Sequence, residues 1–153
     1  MREKRKTSYT RPRLSLAFLA VVLLAVLSGI AAGRNVYPRV QHLLSSGQTI
    51  LGQKIAYPAG ATANVAAIIL TLGPGEETGW HSHATPMFGF IIEGELTVDY
   101  GPHGTRVYRT GDALLEAVDL PHNGRNSGQA DVRVLAVSMG ALGFVDTSPV
   151  TKP

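Results

Sequence analysis

Short apolar segments separated by glycine- and proline-containing turns run through the chain from residue 65 to residue 139. With 17 Gly and 9 Pro among 153 residues, this turn density favours many short strands over a helical bundle. Intervals of roughly 8–12 residues between such strands are typical of sandwiches and barrels. The sequence therefore predicts an all-β fold, with strands at residues 65–72, 88–92, 95–100, 106–109, 113–118 and 132–139.

The segments around these strands are less regular. Residues 36–47 fit either a helical turn or an edge strand, and the sequence does not decide between them. Residues 123–128 contain Asn-Gly and Ser-Gly pairs, which predict a turn region. The polar, proline-containing tail at residues 146–153 is expected to fray.

Composition limits the class of protein. Hydrophobic residues make up 44% of the chain and charged residues 16%, which indicates a globular core rather than a disordered chain. The absence of Cys excludes a disulfide scaffold, thiolate metal sites and thiol catalysis. The length allows one domain behind any targeting segment.

The N-terminus has the pattern of a membrane-targeting sequence. Residues 14–32 carry no charge and are close to the length that spans a bilayer, and the basic residues before them favour a cytoplasmic N-terminus. Small residues at positions 29–33 fit a cleaved secretory signal, whereas the length of the apolar run favours an uncleaved anchor. We predict a signal or anchor helix within residues 1–33 and a single domain at residues 34–153. That domain is expected outside the cytoplasm, in the periplasm, and at the membrane through residues 14–32 if they are retained.

The positive charge belongs to the same terminal segment. Residues 1–13 contain six basic residues and one acidic residue, whereas the rest of the chain contains eight basic and ten acidic residues. A nucleic-acid-binding domain needs a basic surface of its own, so the composition predicts no nucleic-acid partner.

Three histidines have the spacing of a metal site. His81 and His83 are two residues apart, which places both imidazoles on one face of a strand. His122, in a second segment, is a candidate third ligand. Neutral imidazole suits divalent transition metals, so we predict a bound Fe, Mn, Ni, Zn or Cu ion without distinguishing among them. His103, in a Gly-Pro-His-Gly turn, is expected to be exposed to solvent.

Two longer motifs extend this pattern. The segment GEETGWHSHATPMFGFIIEG, residues 75–94, resembles the first cupin motif, and GDALLEAVDLPHNGRN, residues 111–126, resembles the second. The resemblance implies a cupin jelly-roll barrel, with His81, His83 and His122 as metal ligands. It also implies that Asn126 supports the ligands or the surrounding backbone.

The chain departs from the family pattern at several positions. Met87 occupies the position of the family's glutamate ligand, and a thioether is a poor ligand for a hard divalent ion. Met87 would line the site if it follows the family register. Glu116, six residues before His122, could supply a replacement carboxylate; the alternative, which we favour, is an outward- or loop-facing charge. Ala117 and Asp119 replace the family's proline and turn glycine, so we expect that turn to be built differently.

Several functions fit a three-histidine site. The first is a metal-dependent, dioxygenase-like enzyme that acts on a small organic substrate in an apolar pocket shaped by Met87, Phe88 and Phe90. The alternative is a non-catalytic module that binds a small-molecule ligand or a metal. A metal-assisted isomerase or hydrolase is a third candidate, although no dedicated general base is evident. We also expect a homodimer, because pairing would cover exposed strand edges.

Overall fold

The structure, a computed structural model, describes residues 39–153. All the strands described below lie within the compact unit His42–Pro153. The predicted signal or anchor segment at residues 14–32 and the predicted boundary after residue 33 lie outside the described residues and stay predictions. Within residues 39–153, no helix has the length and apolar character needed to span a bilayer.

The described residues form an all-β jelly roll, as the sequence predicts. Antiparallel pairing joins the strands into a four-stranded sheet (β1-β8-β3-β6), a three-stranded sheet (β5-β4-β7) and a β2-β9 pair. The strands β1 to β9 span, in order, Ala63–Leu72, His81–His83, Met87–Glu93, Glu95–Asp99, Thr105–Arg109, Ala113–Leu115, Asn123–Asn126, Val132–Ala141 and Thr147–Pro149.

The core lies on the inward faces of the sheets. In β4, Leu96 and Val98 are buried while the residues between them are less so, which is the period of two expected for a strand with one covered face. Tyr100 and Tyr108 are also buried, and their hydroxyls satisfy each other across 3.1 Å. Aliphatic side chains from the other strands complete this cluster: Leu72, Ile91, Leu114, Val132 and Val134.

Three strands lie outside the six predicted segments: β2, which carries His81 and His83, and strands β7 and β9. Strand β7 occupies residues that were predicted to be a turn. Its buried positions are Gly124 and Asn126 rather than aliphatic residues, so no apolar alternation indicates the strand in the sequence. Strand β9 forms in the tail expected to fray, because it pairs with the three-residue strand β2. Residues 39–47 contain neither a helix nor a strand.

The turn between β3 and β4 requires glycine. Gly94 has a φ of 83°, and a Cβ atom there would lie 2.6 Å from the carbonyl oxygen of Asp131. A side chain at this position would therefore clash with fixed backbone and strain the turn.

The turn before His122 is left-handed at Asp119. Asp119, at the position of the family's glycine, has a φ of 54° and is the only described non-glycine residue with a positive φ. Aspartate tolerates this left-handed conformation better than most residues. Its amide donates a hydrogen bond to the carbonyl of His83 at 2.8 Å, so a left-handed turn forms here without glycine and contacts the strand of the candidate ligands.

Candidate metal site

The backbone brings the three predicted ligands together. Strand β2 carries His81 and His83, and the segment just before β7 carries His122. His81 and His122 exchange two backbone hydrogen bonds, at 3.0 and 2.9 Å, which hold the two segments in register. One potential ligand atom from each of the three histidines lies within 4.8 Å of the others. A cation would therefore find three imidazoles in one place.

Hydrogen bonds orient two of the rings. The Nδ1 atom of His81 lies 2.8 Å from the carbonyl oxygen of Gly79, and that of His122 lies 2.9 Å from the carbonyl oxygen of Leu120. Because a carbonyl only accepts, each Nδ1 must carry the proton, and in the neutral ring the Nε2 lone pair is then free. This is the usual arrangement of metal-binding histidines.

The third ring is held by the C-terminal strand. Nδ1 of His83 lies 3.1 Å from Oγ1 of Thr147 in β9. The next residue toward the N-terminus, Asp146, accepts hydrogen bonds from the hydroxyls of Thr85 and Ser138 at 3.2 and 2.8 Å. This contribution could not be predicted, because nothing local in a polar tail indicates pairing with a strand more than sixty residues away.

One imidazole nitrogen lacks a partner. His122 is 2% exposed, and its Nε2 is a buried polar atom without a hydrogen-bond partner among the described residues. Leaving such an atom unsatisfied costs about 1–3 kcal/mol. A metal ion on this lone pair would satisfy it, so the donor set fits a divalent transition metal.

Burial keeps two of the rings neutral. Burial lowers the pKa of His81, although the hydrogen bond to the Gly79 carbonyl partly opposes this effect. Burial, followed by the neighbouring His122 and His81, lowers the pKa of His83 from 6.5 to about 3. Since only the deprotonated nitrogen binds a metal, these shifts favour metal binding over protonation near neutral pH.

The histidines line one part of a cavity of about 460 Å³. Met87 and Trp80 also line this cavity. Phe88 lines a separate cavity on the other face of its sheet, and Phe90 is absent from the described cavity wall, so the predicted pocket-forming role of these two residues is wrong. The aliphatic part of the wall comes from Ile68, Leu70, Leu96, Val98, Leu114, Val134 and Ala136.

Glu116 points into this cavity rather than outward, so the orientation favoured from the sequence is wrong. Its side chain is 12% exposed, and its Oε2 lies 4.0 Å from Nε2 of His122. The nearby Tyr100 has a raised pKa, first because it is buried and second because of the charge of Glu116. Among the described residues that line the cavity, Glu116 is the only carboxylate, and none is Lys or Arg.

The other candidates lie away from the cavity. Asn126 is fully buried and hydrogen-bonds to backbone groups of neighbouring segments, which makes it a structural residue. His103 lies in an exposed turn, as predicted, and His42 is also exposed. Neither joins the histidine cluster.

Comparisons with known proteins agree with this fold. A family model described as a Cupin domain matches residues 68–138, and no curated protein matches the chain. An uncharacterized conserved protein with a double-stranded beta-helix domain from Klebsiella pneumoniae subsp. pneumoniae is 18% identical, with a TM-score of 0.50 over 78% of this chain and 96% of that chain. A cupin-like protein from Thermotoga maritima is 16% identical, with a TM-score of 0.53 over 58% of this chain and 66% of that one.

At such identities, the likeness concerns the fold alone. Both histidine-containing motifs, residues 75–94 and 111–126, fall within the matched residues 68–138. The observed strands form the same type of barrel as these two solved structures. Residues 68–138 thus match a cupin domain, and the described residues have the cupin fold.

Proposed function

We propose that this protein binds a divalent transition-metal ion through His81, His83 and His122 and binds a small organic molecule in the adjoining cavity. The observation that carries the proposal is the convergence of three histidines, with one ligand atom of each within 4.8 Å of the others; the buried Nε2 of His122 has no hydrogen-bond partner among residues 39–153. Hydrogen bonds that Nδ1 of His81 and Nδ1 of His122 donate to backbone carbonyls support it, because they leave the Nε2 atoms of these rings for the ion.

The cavity wall indicates the class of molecule. It is mainly aliphatic, and the described wall contains no Lys or Arg that could pair with a phosphate or carboxylate away from the ion. A largely apolar molecule with an oxygen donor for the metal fits this chemistry best. Such a molecule would place its polar end at the histidines and its apolar part against residues such as Leu70 and Val134.

The first candidate function is a dioxygenase-like activity. A redox-active ion would supply electrons and Lewis acidity to dioxygen and a bound substrate. The chain's own part would be to orient the ion through three neutral rings and to exclude bulk water with the aliphatic wall. The alternative is a non-catalytic module that binds a small ligand or the metal, which the same cavity and histidines support equally.

Metal titration tests the proposed binding site. Metal-stripped protein should bind close to one equivalent of at least one ion among Fe(II), Mn(II), Ni(II), Zn(II) and Cu(II), measured by elemental analysis after desalting. His122→Ala should lose this retention, whereas His103→Ala, which removes an exposed histidine, should keep it. Equal metal contents in wild type and His122→Ala, or no retention by wild type, would reject the site.

Oxygen consumption separates the two functions. Iron-loaded protein would be mixed with candidate diketones and phenols while dioxygen uptake and product formation are followed. Turnover that disappears in His122→Ala supports the enzyme. Saturable ligand binding without product supports the binding module.

Location and assembly are further parts of the proposal. We propose that the protein is extracytoplasmic, either secreted or anchored by residues 14–32. It should then be recovered in the periplasmic or membrane fraction, and mass spectrometry would identify its mature N-terminus. Strand β1 lies at the edge of its sheet with Val65, Ile68 and Ile69 exposed, which supports a homodimer. Light scattering on residues 34–153 would measure its mass.

A further inference from the structure

We propose that Glu116 is a fourth protein ligand of the ion, so that the carboxylate comes from the end of β6 instead of from Met87 on β3. This inference rests on the proposed metal site and names a ligand that the histidines alone do not include. It concerns the position, in this chain, of the negative charge that faces the ion.

Strand register places Glu116 directly beside Met87. Strands β3 and β6 pair Gly89 with Leu114 and Phe88 with Leu115, and the next pair in this register is Met87 with Glu116. The backbone agrees, since the amide of Glu116 donates to the carbonyl oxygen of Met87 at 2.8 Å. Residues opposite each other on antiparallel strands project to the same face, and both of these side chains line the cavity. The carboxylate of Glu116 thus follows β6 and lies beside Met87, the position on the neighbouring strand β3 that carries the family's glutamate.

The carboxylate is within reach of an ion held by His122. Two donor atoms that are each about 2.1 Å from one metal ion are at most about 4.2 Å apart. Oε2 of Glu116 and Nε2 of His122 are 4.0 Å apart, which lies inside this limit. The other oxygen, Oε1, accepts the amide hydrogen of Ala117 at 2.8 Å, which directs Oε2 toward the histidines.

The charge of the Glu116 side chain also supports its role as a ligand. A cationic partner would stabilise a carboxylate that is 12% exposed in a mainly aliphatic cavity, and the described cavity wall offers no Lys or Arg. Three neutral imidazoles leave the full charge of a divalent ion uncompensated. Glu116 and the ion therefore neutralise each other in part.

Metal affinity in four proteins tests this ligand: wild type, Glu116→Gln, the double variant Met87→Glu/Glu116→Gln, and Glu95→Gln as a surface control. Glutamine keeps the size of the side chain and the acceptor for the Ala117 amide but loses the charge. Dissociation constants for Mn(II) would be measured from the electron paramagnetic resonance signal of the free ion. We expect at least tenfold weaker binding in Glu116→Gln, recovery in the double variant, and no change in Glu95→Gln.

Failure of this inference differs from failure of the metal site. If wild type binds Mn(II) and Glu116→Gln binds it equally well, Glu116 pairs only with a histidine and the inference is overturned, while the three-histidine site stands. If wild type binds none of the divalent ions, the proposed function fails first. Infrared difference spectra of wild type avoid dependence on variant folding: Mn(II) should shift a carboxylate stretch, and an unchanged carboxylate region would also overturn the inference.

Discussion

Replacing Asn126 with alanine should destabilise the fold without weakening metal binding. The side-chain amide of Asn126 donates to the carbonyls of Leu72 and Ala130 at 2.8 and 2.7 Å, and its oxygen accepts the amide hydrogen of Gly128 at 2.9 Å. Each such bond contributes about 1 kcal/mol net, so the loss of three predicts about 3 kcal/mol. That loss is a large fraction of the roughly 5–15 kcal/mol stability typical of a domain.

Urea unfolding of metal-free protein measures this effect. The free energy of unfolding would be compared for wild type, Asn126→Ala and the control Asn123→Ala. Asn123 lies in the same strand, but its hydrogen bonds to Thr78 and Glu77 are exposed, so its replacement should cost less than about 1 kcal/mol. Metal content of the folded Asn126→Ala protein should equal that of wild type, because Asn126 is absent from the described cavity wall.

The opposite pattern would refute this reasoning. If Asn126→Ala loses less than about 1 kcal/mol, the three hydrogen bonds do not hold the β7 region as inferred. If the variant keeps its stability but loses the metal, Asn126 acts at the metal site and its assignment as a structural residue is wrong.

Three further predictions concern the residues around the histidines. Because the pKa of His83 falls from 6.5 to about 3 on folding, the unfolded chain binds more protons between these values. The stability of metal-free protein should therefore decrease as the pH falls from 6.5 toward 3, and His83→Gln should weaken this dependence in urea titrations. Thr147→Val removes the partner of the His83 ring and should weaken metal binding about tenfold by competition with a chelator, whereas Thr147→Ser should not. Asp119→Val should lower the free energy of unfolding by about 1–2 kcal/mol because of the positive φ, whereas Asp119→Gly should not lower it in the same urea assay.

The parts of the fold that were predicted correctly have local signals. The strands with aliphatic residues, such as β1 and β8, appear in the sequence as apolar runs between turns. Strands β7 and β9 lack such runs, since β7 buries a glycine and an asparagine and the described residues of β9 are exposed. Their formation depends on β4 and β2, which are distant in the chain.

The candidate site also contains residues whose placement has a local sequence signal and one whose placement does not. The placement of His81 and His83 on one face follows from the period of a strand, and the motif resemblance pointed to His122. The direction of Glu116 could not be predicted, because β6 ends at Leu115 and the sequence does not show that its alternation of side chains continues through residue 116. Its position beside Met87 depends on the pairing of β3 with β6.

The residues alone predict an all-β chain with turns at its glycines and a set of histidines suited to a metal. Local chemistry suffices for this, because strand periodicity and turn conformation depend on neighbouring residues. Two features emerge only in the folded barrel: an acidic side chain enters the cavity, and the C-terminal strand holds the His83 ring. Both features arise from contacts between distant segments, whose register is set by how the whole barrel closes.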